Sequence, residues 1–279
     1  MLSLANDQLR LELLDPVADR AHLGPRFCWG GYLWQIHDAS VGPLLTGPEW
    51  PKADPSPFNG QGLPESFRHS TRDGRRHTWV GDRGVALGAG VLAPGGGAVS
   101  EPCPWEIFPA AHEIVFKTTH TALGFHYAIT RTIALTGRTV TSTSQLTNLA
   151  ESPLMLEWFV HPFFALTDRL IEMQVPAGTQ LADNPGFALT DRAFTQKRRF
   201  EHEKDGHMDF LRLPAGRALA ARLSHPKLTH VDFETSFAPS ECLVWGNSNT
   251  FSVEPYQTLA LMPGEVRSWH LRYTFGPPL

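Results

Sequence analysis

Helical periodicity, cysteine pairs, long apolar runs and a basic face are all scarce in this 279-residue chain. Its three cysteines, Cys28, Cys103 and Cys242, lie far apart and none belongs to a Cys-x-x-Cys spacing. An odd count without close pairs argues against a disulfide framework and offers no thiolate set for zinc. Reduced thiols of this kind fit a cytoplasmic location. No run approaches the roughly 18 apolar residues of a membrane helix, and residues 1–7 lack the basic start of a secretory signal. Neither a membrane partner nor secretion is therefore expected. Net charge is −4. The runs Arg75-Arg76 and Lys197-Arg198-Arg199 stand isolated and build no larger patch, so no nucleic-acid partner is expected.

What the chain has is strand-forming material. Hydrophobic residues make up 42%, enough for a sizeable core. Gly (24) and Pro (23) together make about a sixth of the residues, as in proteins of many short strands joined by turns. Leu9, Leu11 and Leu13 alternate with polar neighbours, which predicts a half-buried opening strand. Strand signals at 86–92, 113–119, 124–135 and 138–148 recur at near-regular spacing and predict an antiparallel meander. The Thr/Ser-rich 138–148 strand suits a wet sheet face or a cleft wall. Further strands are expected at 154–164, 210–213, 218–223, 229–233, 242–245, 252–255 and 268–275. The helix candidate is a short turn at 191–194. Between Gly42 and Gly84 runs a long irregular stretch with six prolines (Pro43, Pro48, Pro51, Pro55, Pro57, Pro64). Loops of that length are usually functional or disordered, and Trp50, Phe58, Phe67 and Trp79 argue for packing. No internal repeat or linker is visible, so residues 1–279 read as one all-β domain, a large antiparallel β-sandwich.

Three segments carry candidate chemistry. Thr147-Asn148 leads through a turn with Pro153 to a strand delivering His161-Pro162-Phe163-Phe164. Trp245-Gly246-Asn247 runs on to Val253-Glu254-Pro255, and Pro263-Gly264-Glu265 precedes the last strand. Pro162 forces extended backbone before it and removes a ladder N–H, so His161 sits where a strand leaves its sheet. On the residues alone, an isolated His in an aromatic segment is more often a satisfied core histidine. Glu254 between Val253 and Pro255 is costly to bury without a partner. A His–carboxylate couple facing one substrate is the alternative for both. Glu265 is expected to be an exposed turn residue.

In order and spacing over 139–275, these segments together resemble the aldose 1-epimerase (galactose mutarotase) superfamily. The resemblance carries the Asn148…Pro153…His161-Pro162-Phe163-Phe164 stretch, Leu243-Val244-Trp245-Gly246-Asn247, Val253-Glu254-Pro255 and Pro263-Gly264-Glu265. More loosely, Gly24-Pro25-Arg26-Phe27 resembles the opening strand of that fold, and Gly60-Gln61-Gly62-Leu63-Pro64-Glu65-Ser66-Phe67 resembles a Gly-rich segment that precedes a stretch like Gly88-Ala89-Gly90-Val91-Leu92. The Leu-His-Gly-Gly segment of galactose mutarotases, which supplies a second active-site histidine, has no counterpart here; His69 and His77 are the substitutes considered.

The resemblance implies Glu254 as the base on the anomeric hydroxyl and His161 as the acid on the ring oxygen, with no cofactor and no metal. Free His titrates near ~6.5, and a neighbouring carboxylate is expected to keep His161 protonated. Arg26, Glu65, Arg68, His69, Trp245 and Asn247 are candidate sugar contacts. Glu65 is alternatively a loop-stabilising carboxylate beside Arg68, and Trp245 alternatively a core residue. The implied partner is a small-molecule sugar, the assembly a monomer or homodimer. Two other readings stay open: a carbohydrate-binding protein without catalysis on the same fold, and a 1-epimerase of hexose phosphates. Arg68, Arg72, Arg75 and Arg76 are the candidate phosphate ligands of the latter.

Overall fold

The computed structural model describes residues 1–166 and 171–279. Two large antiparallel sheets face one another. The larger has ten strands, running from Glu106–Pro109 at one edge through the meander Glu113–Ala122, Phe125–Thr136 and Thr139–Asn148. The last strand of the chain, Val266–Phe275, pairs with Thr139–Asn148, and Val231–Thr235 and Ala220–Leu223 extend the sheet beyond it. The second sheet has seven strands, among them Glu65–Arg68, Leu154–Val160, Thr250–Leu261, Glu241–Gly246 and His207–Arg212 in that spatial order. Two four-stranded sheets flank this pair, one built from the N-terminal strands and one from residues 79–102.

Period-2 alternation explains why these segments are strands and which face goes inward. In Phe125–Thr136, Tyr127, Ile129, Arg131, Ile133 and Leu135 are buried while the intervening residues are half-buried. The Leu123-Gly124 turn before it has positive φ at both residues (51° and 83°), the geometry a two-residue hairpin needs to match strand twist. Aromatic residues weld the two large sheets together. Trp158 of one meets Trp269 of the other at 5.2 Å between ring centroids, and Phe164 meets Phe233 at 6.2 Å. Burying each such ring stabilises by roughly 2–3 kcal/mol.

Two expectations change. The segment expected as one strand over 86–92 is a hairpin, Arg83–Ala86 turning back into Gly90–Leu92. Residues 191–194 are no helical turn: Phe187–Thr190 and Ala193–Gln196 form a hairpin, with Asp191 at φ 55° in its two-residue loop. A short polar side chain tolerates that left-handed backbone, which is why a turn was legible there while its type was not. Of the two roles open to the Thr/Ser-rich strand, it takes the wet face and not the cleft wall. Ser142 and Ser144 point into the core, and its partly exposed Thr residues occupy the opposite face.

The 42–84 segment is anchored along the sandwich. It contains the Gly42–Pro43 and Glu65–Arg68 strands and gives Leu44, Leu45, Leu63 and Phe67 to the core. Its backbone replaces the ladder that Pro162 breaks. Pro64 O accepts from His161 N (2.8 Å), Gly62 O from Phe163 N (2.8 Å), and Phe163 O from Thr46 N (3.1 Å). Gly62 holds φ 79°, and a Cβ there would lie 2.3 Å from Leu33 O, so no other residue fits without backbone movement.

Candidate active site

One face of the seven-stranded sheet floors a cleft of about 800 Å³. Alternation along each strand decides what reaches it. On Thr250–Leu261, Ser252, Glu254 and Tyr256 share the cleft side while Phe251 and Val253 pack in the core. On the neighbouring strands, Phe159, Leu243 and Trp245 face the same way, with His161 just past the end of Leu154–Val160. Residues of the 42–84 segment, including Pro48, Phe58 and Asn59, form part of the opposing wall.

His161 and Glu254 meet on this floor. Nε2 of His161 lies 3.2 Å from Oε1 of Glu254, and the two residues are 5% and 3% exposed. Ser252 Oγ lies 3.1 Å from His161 Nδ1. A hydroxyl can donate to the neutral ring there and accept from the protonated one, so it serves both states. The imidazole is held by rings: Phe163 stacks on it at 4.2 Å, and Phe27, Phe159 and Trp245 contact it at tilted or edge-on angles. The Tyr256 hydroxyl donates to Glu254 Oε2 at 3.4 Å.

This apolar setting reverses the protonation expected for His161. Burial, helped by the Arg26 cation, pushes its pKa well below the ordinary histidine value. Burial likewise raises Glu254 to about 7, against the opposing pull of Arg26, Ser252, Arg72 and Tyr256. Desolvation thus outweighs the mutual attraction on which the expectation rested. At 3.2 Å the two groups are close enough for a proton to pass between them. Below about pH 7 Glu254 therefore holds a proton, 3.2 Å from a His161 nitrogen that can accept it; above about 7 that proton is lost.

The remaining candidates divide. Arg26, Arg68, His69 and Trp245 line the cleft. Arg26 Nη1 donates to Phe58 O (3.0 Å), and its guanidinium sits about 5 Å from the Phe27 and Phe58 ring centroids. Arg68 Nη1 pairs with Glu157 Oε2 at 2.9 Å. His69 is held neutral, its pKa pushed down to about 4 by burial and the Arg68 and Arg76 charges. Its Nδ1 accepts from Trp79 Nε1 at 3.3 Å, which leaves the ring proton on Nε2. His77 is not part of the lining. Asn247 borders the cleft, but its amide is spent on the turn: Nδ2 donates to Pro48 O and Glu203 O, and Oδ1 accepts from the Asn249 and Thr250 N–H groups.

Glu65 is placed elsewhere. It is 2% exposed and points into the core, where its carboxylate accepts from Arg131 Nη2 (2.6 Å), Ser142 Oγ (2.6 Å) and Ser144 Oγ (3.1 Å). Glu65 and Arg68 are three residues apart on one strand, so they face opposite sides. Only Arg68 can reach the cleft, and the contact between the two considered for a loop does not form. Glu265 stays in its turn, accepting from Met262 N and pairing with Arg267. Of the basic residues considered for phosphate, Arg68 and Arg72 line the cleft; Arg75 pairs with Asp73, and Arg76 lies over Trp79. Phe159, Ser252 and Tyr256 went unnoticed in the sequence, although each lies two residues from His161 or Glu254 on the same strand side. Among the described residues, no group of three or more His, Cys, Asp or Glu is arranged to hold a metal ion.

No protein-family model and no curated protein matches the sequence. Solved structures do match the fold. A galactose mutarotase related enzyme from Lactobacillus acidophilus superimposes with a TM-score of 0.63 at 13% identity, covering 98% of this chain and 96% of that one. A galactose mutarotase-like protein from Lactobacillus casei gives 0.63 at 14% identity, with 99% of both chains covered. A Synechocystis protein gives 0.62 at 16% identity, covering 99% and 95%. With nearly full coverage on both sides, the chain has the galactose mutarotase-like β-sandwich fold.

Proposed function

We propose that this protein is an aldose 1-epimerase, interconverting the α and β anomers of a sugar by opening and reclosing its ring. The observation that carries the reading is the 3.2 Å His161–Glu254 couple on the floor of an 800 Å³ cleft. A proton-sharing acid–base couple buried at the base of a sugar-sized cleft is what anomer exchange requires.

In this mechanism Glu254 takes the proton from the anomeric hydroxyl. The oxygen's electron pair closes to a C1 carbonyl as the bond from C1 to the ring oxygen breaks, and the ring oxygen takes the proton of His161. Rotation about the C1–C2 bond turns the other carbonyl face to the ring hydroxyl. Closure then runs the same transfers backwards and restores both groups. The active state is the carboxylate–imidazolium form of the one-proton couple. The neutral form is in fast exchange with it, and the depressed histidine pKa makes the imidazolium a strong acid towards a weakly basic ring oxygen. Positioned proton transfer of this kind contributes on the order of 10²–10⁴-fold per group.

Cytoplasmic residence belongs to the same proposal and rests on three buried cysteines that remain free thiols. The test is polarimetry or exchange NMR on freshly dissolved α-anomers of a sugar panel, with and without protein. Acceleration of at least one sugar is expected. Saturable binding with no acceleration of any sugar would instead assign a carbohydrate-binding protein.

A further inference from the structure

Only one nitrogen of His161 is placed to work on a sugar. Nε2 lies 3.2 Å from Glu254 Oε1 on the cleft floor, whereas Nδ1 lies 3.1 Å from Ser252 Oγ. Ser252 is fully buried, so no substrate atom reaches that side of the ring. When Nε2 gives its proton to the ring oxygen, the neutral imidazole left behind keeps its other proton on Nδ1. That N–H is buried with the ring, and a buried donor without an acceptor is costly. Ser252 Oγ is a side-chain acceptor within reach. The backbone of His161 hydrogen-bonds the ring as well, but a carbonyl can only accept, whereas a hydroxyl can also turn and donate.

The same hydroxyl is tied to the base. Ser252 stands two residues before Glu254 on one strand, hence on the same side, and its hydrogen bond opposes the burial that raises the Glu254 pKa. Below about pH 7 the carboxyl proton of Glu254 has Nε2 as its acceptor, while Nδ1–H donates to Ser252 Oγ. Passing the carboxyl proton to Nε2 then gives carboxylate and imidazolium without disturbing Nδ1. Above about pH 7 the bare carboxylate draws the one imidazole proton to Nε2. Nδ1 becomes an acceptor there, and the Ser252 hydroxyl turns round to donate to it. That form has no acidic proton left for a ring oxygen.

Resting on the epimerase reading, we propose that Ser252 is a positioning residue of anomer exchange: its hydroxyl accepts from His161 Nδ1 throughout turnover, which keeps Nε2 as the nitrogen that gives and retakes the proton. The proton leaving Nε2 goes to the ring oxygen as its bond to C1 breaks, and returns when the ring closes. The Nδ1 proton stays in place. Ser252 acts only through His161 and Glu254.

Long-range proton–nitrogen NMR of the sugar-free wild-type protein reads the tautomer, with His161→Asn identifying the His161 signals. Below about pH 7 Nδ1 should be protonated, and above it the proton should sit on Nε2. A bare Nδ1 below that pH overturns the assignment. Exchange NMR with an accelerated sugar supplies the second arm. Ser252→Ala, with a wild-type circular dichroism spectrum, should lose about tenfold to a hundredfold in kcat at nearly unchanged KM. Its fall in rate near pH 7 should move to higher pH, because the hydroxyl no longer holds the Glu254 pKa down. Arg26, Arg72 and Tyr256 also act on Glu254 and are intact in this variant. A wild-type kcat with an unmoved pH limb would overturn the role of Ser252 and leave the epimerase reading intact. Absence of acceleration by the wild-type protein would sink the epimerase and with it the role in turnover, whereas the tautomer, read without sugar, is decided separately.

Discussion

Removing the Glu65 carboxylate should destabilise the protein severely, although Glu65 lies on the far side of its strand from the cleft. Glu65 and Arg131 bridge the two large sheets as an ion pair whose side chains are each 1% exposed. In Glu65→Ala, Arg131 keeps its charge in the core. Its Nε and Nη1 have no hydrogen-bond partner among the described residues, so no nearby group takes over. The Ser142 and Ser144 hydroxyls lose their acceptor as well. Breaking one side of a buried pair costs about 3–5 kcal/mol, and at about 2–4 °C per kcal/mol for a chain near this size, Tm falls by roughly 10 °C. Urea denaturation followed by circular dichroism measures the loss. The double variant Glu65→Leu with Arg131→Met removes both charges and should recover much of it, because an apolar pair of similar volume avoids the desolvation cost. A Glu65→Ala protein within about 1 kcal/mol of wild type would refute the reasoning, since a charge left alone in that core cannot cost so little.

Three further outcomes are expected. Mutarotation should be flat on the acid side and fall as pH rises through about 7: the pKa of Glu254 is raised, so the shared proton is present below that value and lost above it. A rate that climbs through the same range would contradict a shared-proton couple. Asn247→Ala should cost about 2 kcal/mol in urea denaturation, because it strips the acceptors or donors of four backbone groups, two of them from segments that border the cleft; a neutral effect would mean the clamp is dispensable. Gly62→Ala should cost about 2 kcal/mol or more, since φ 79° and the Leu33 carbonyl both oppose a Cβ, and thermal melting would detect an unexpectedly tolerant site.

Much of the sheet architecture was legible because it is written in local alternation. The strands over 113–148 and 154–164, and those near the C-terminus, follow from period-2 burial and turn residues. Which strands become neighbours was not, because pairing such as Thr139–Asn148 with Val266–Phe275 is set by contacts more than a hundred residues apart. His161 and Glu254 were legible from motif order and from the proline after each. Glu65 was misplaced because its segment reads as loop; as a strand, alternation alone separates it from Arg68. Arg131 went unnoticed, since a charged residue in an inward row looks like an interruption until its partner on the other sheet is known. The depressed pKa of His161 is not legible in sequence for a similar reason: the carboxylate beside it is visible there, but the Phe27, Phe159 and Phe163 rings that dry the site assemble only in the fold.

The central claim is that His161 and Glu254 exchange protons with a sugar. Exchange NMR of anomer interconversion on a sugar that the wild-type protein accelerates, repeated with Glu254→Gln and His161→Asn, tests it most directly. Each variant should retain the wild-type circular dichroism spectrum and lose on the order of 10²–10⁴-fold in rate. Folded variants that interconvert anomers at the wild-type rate would contradict it.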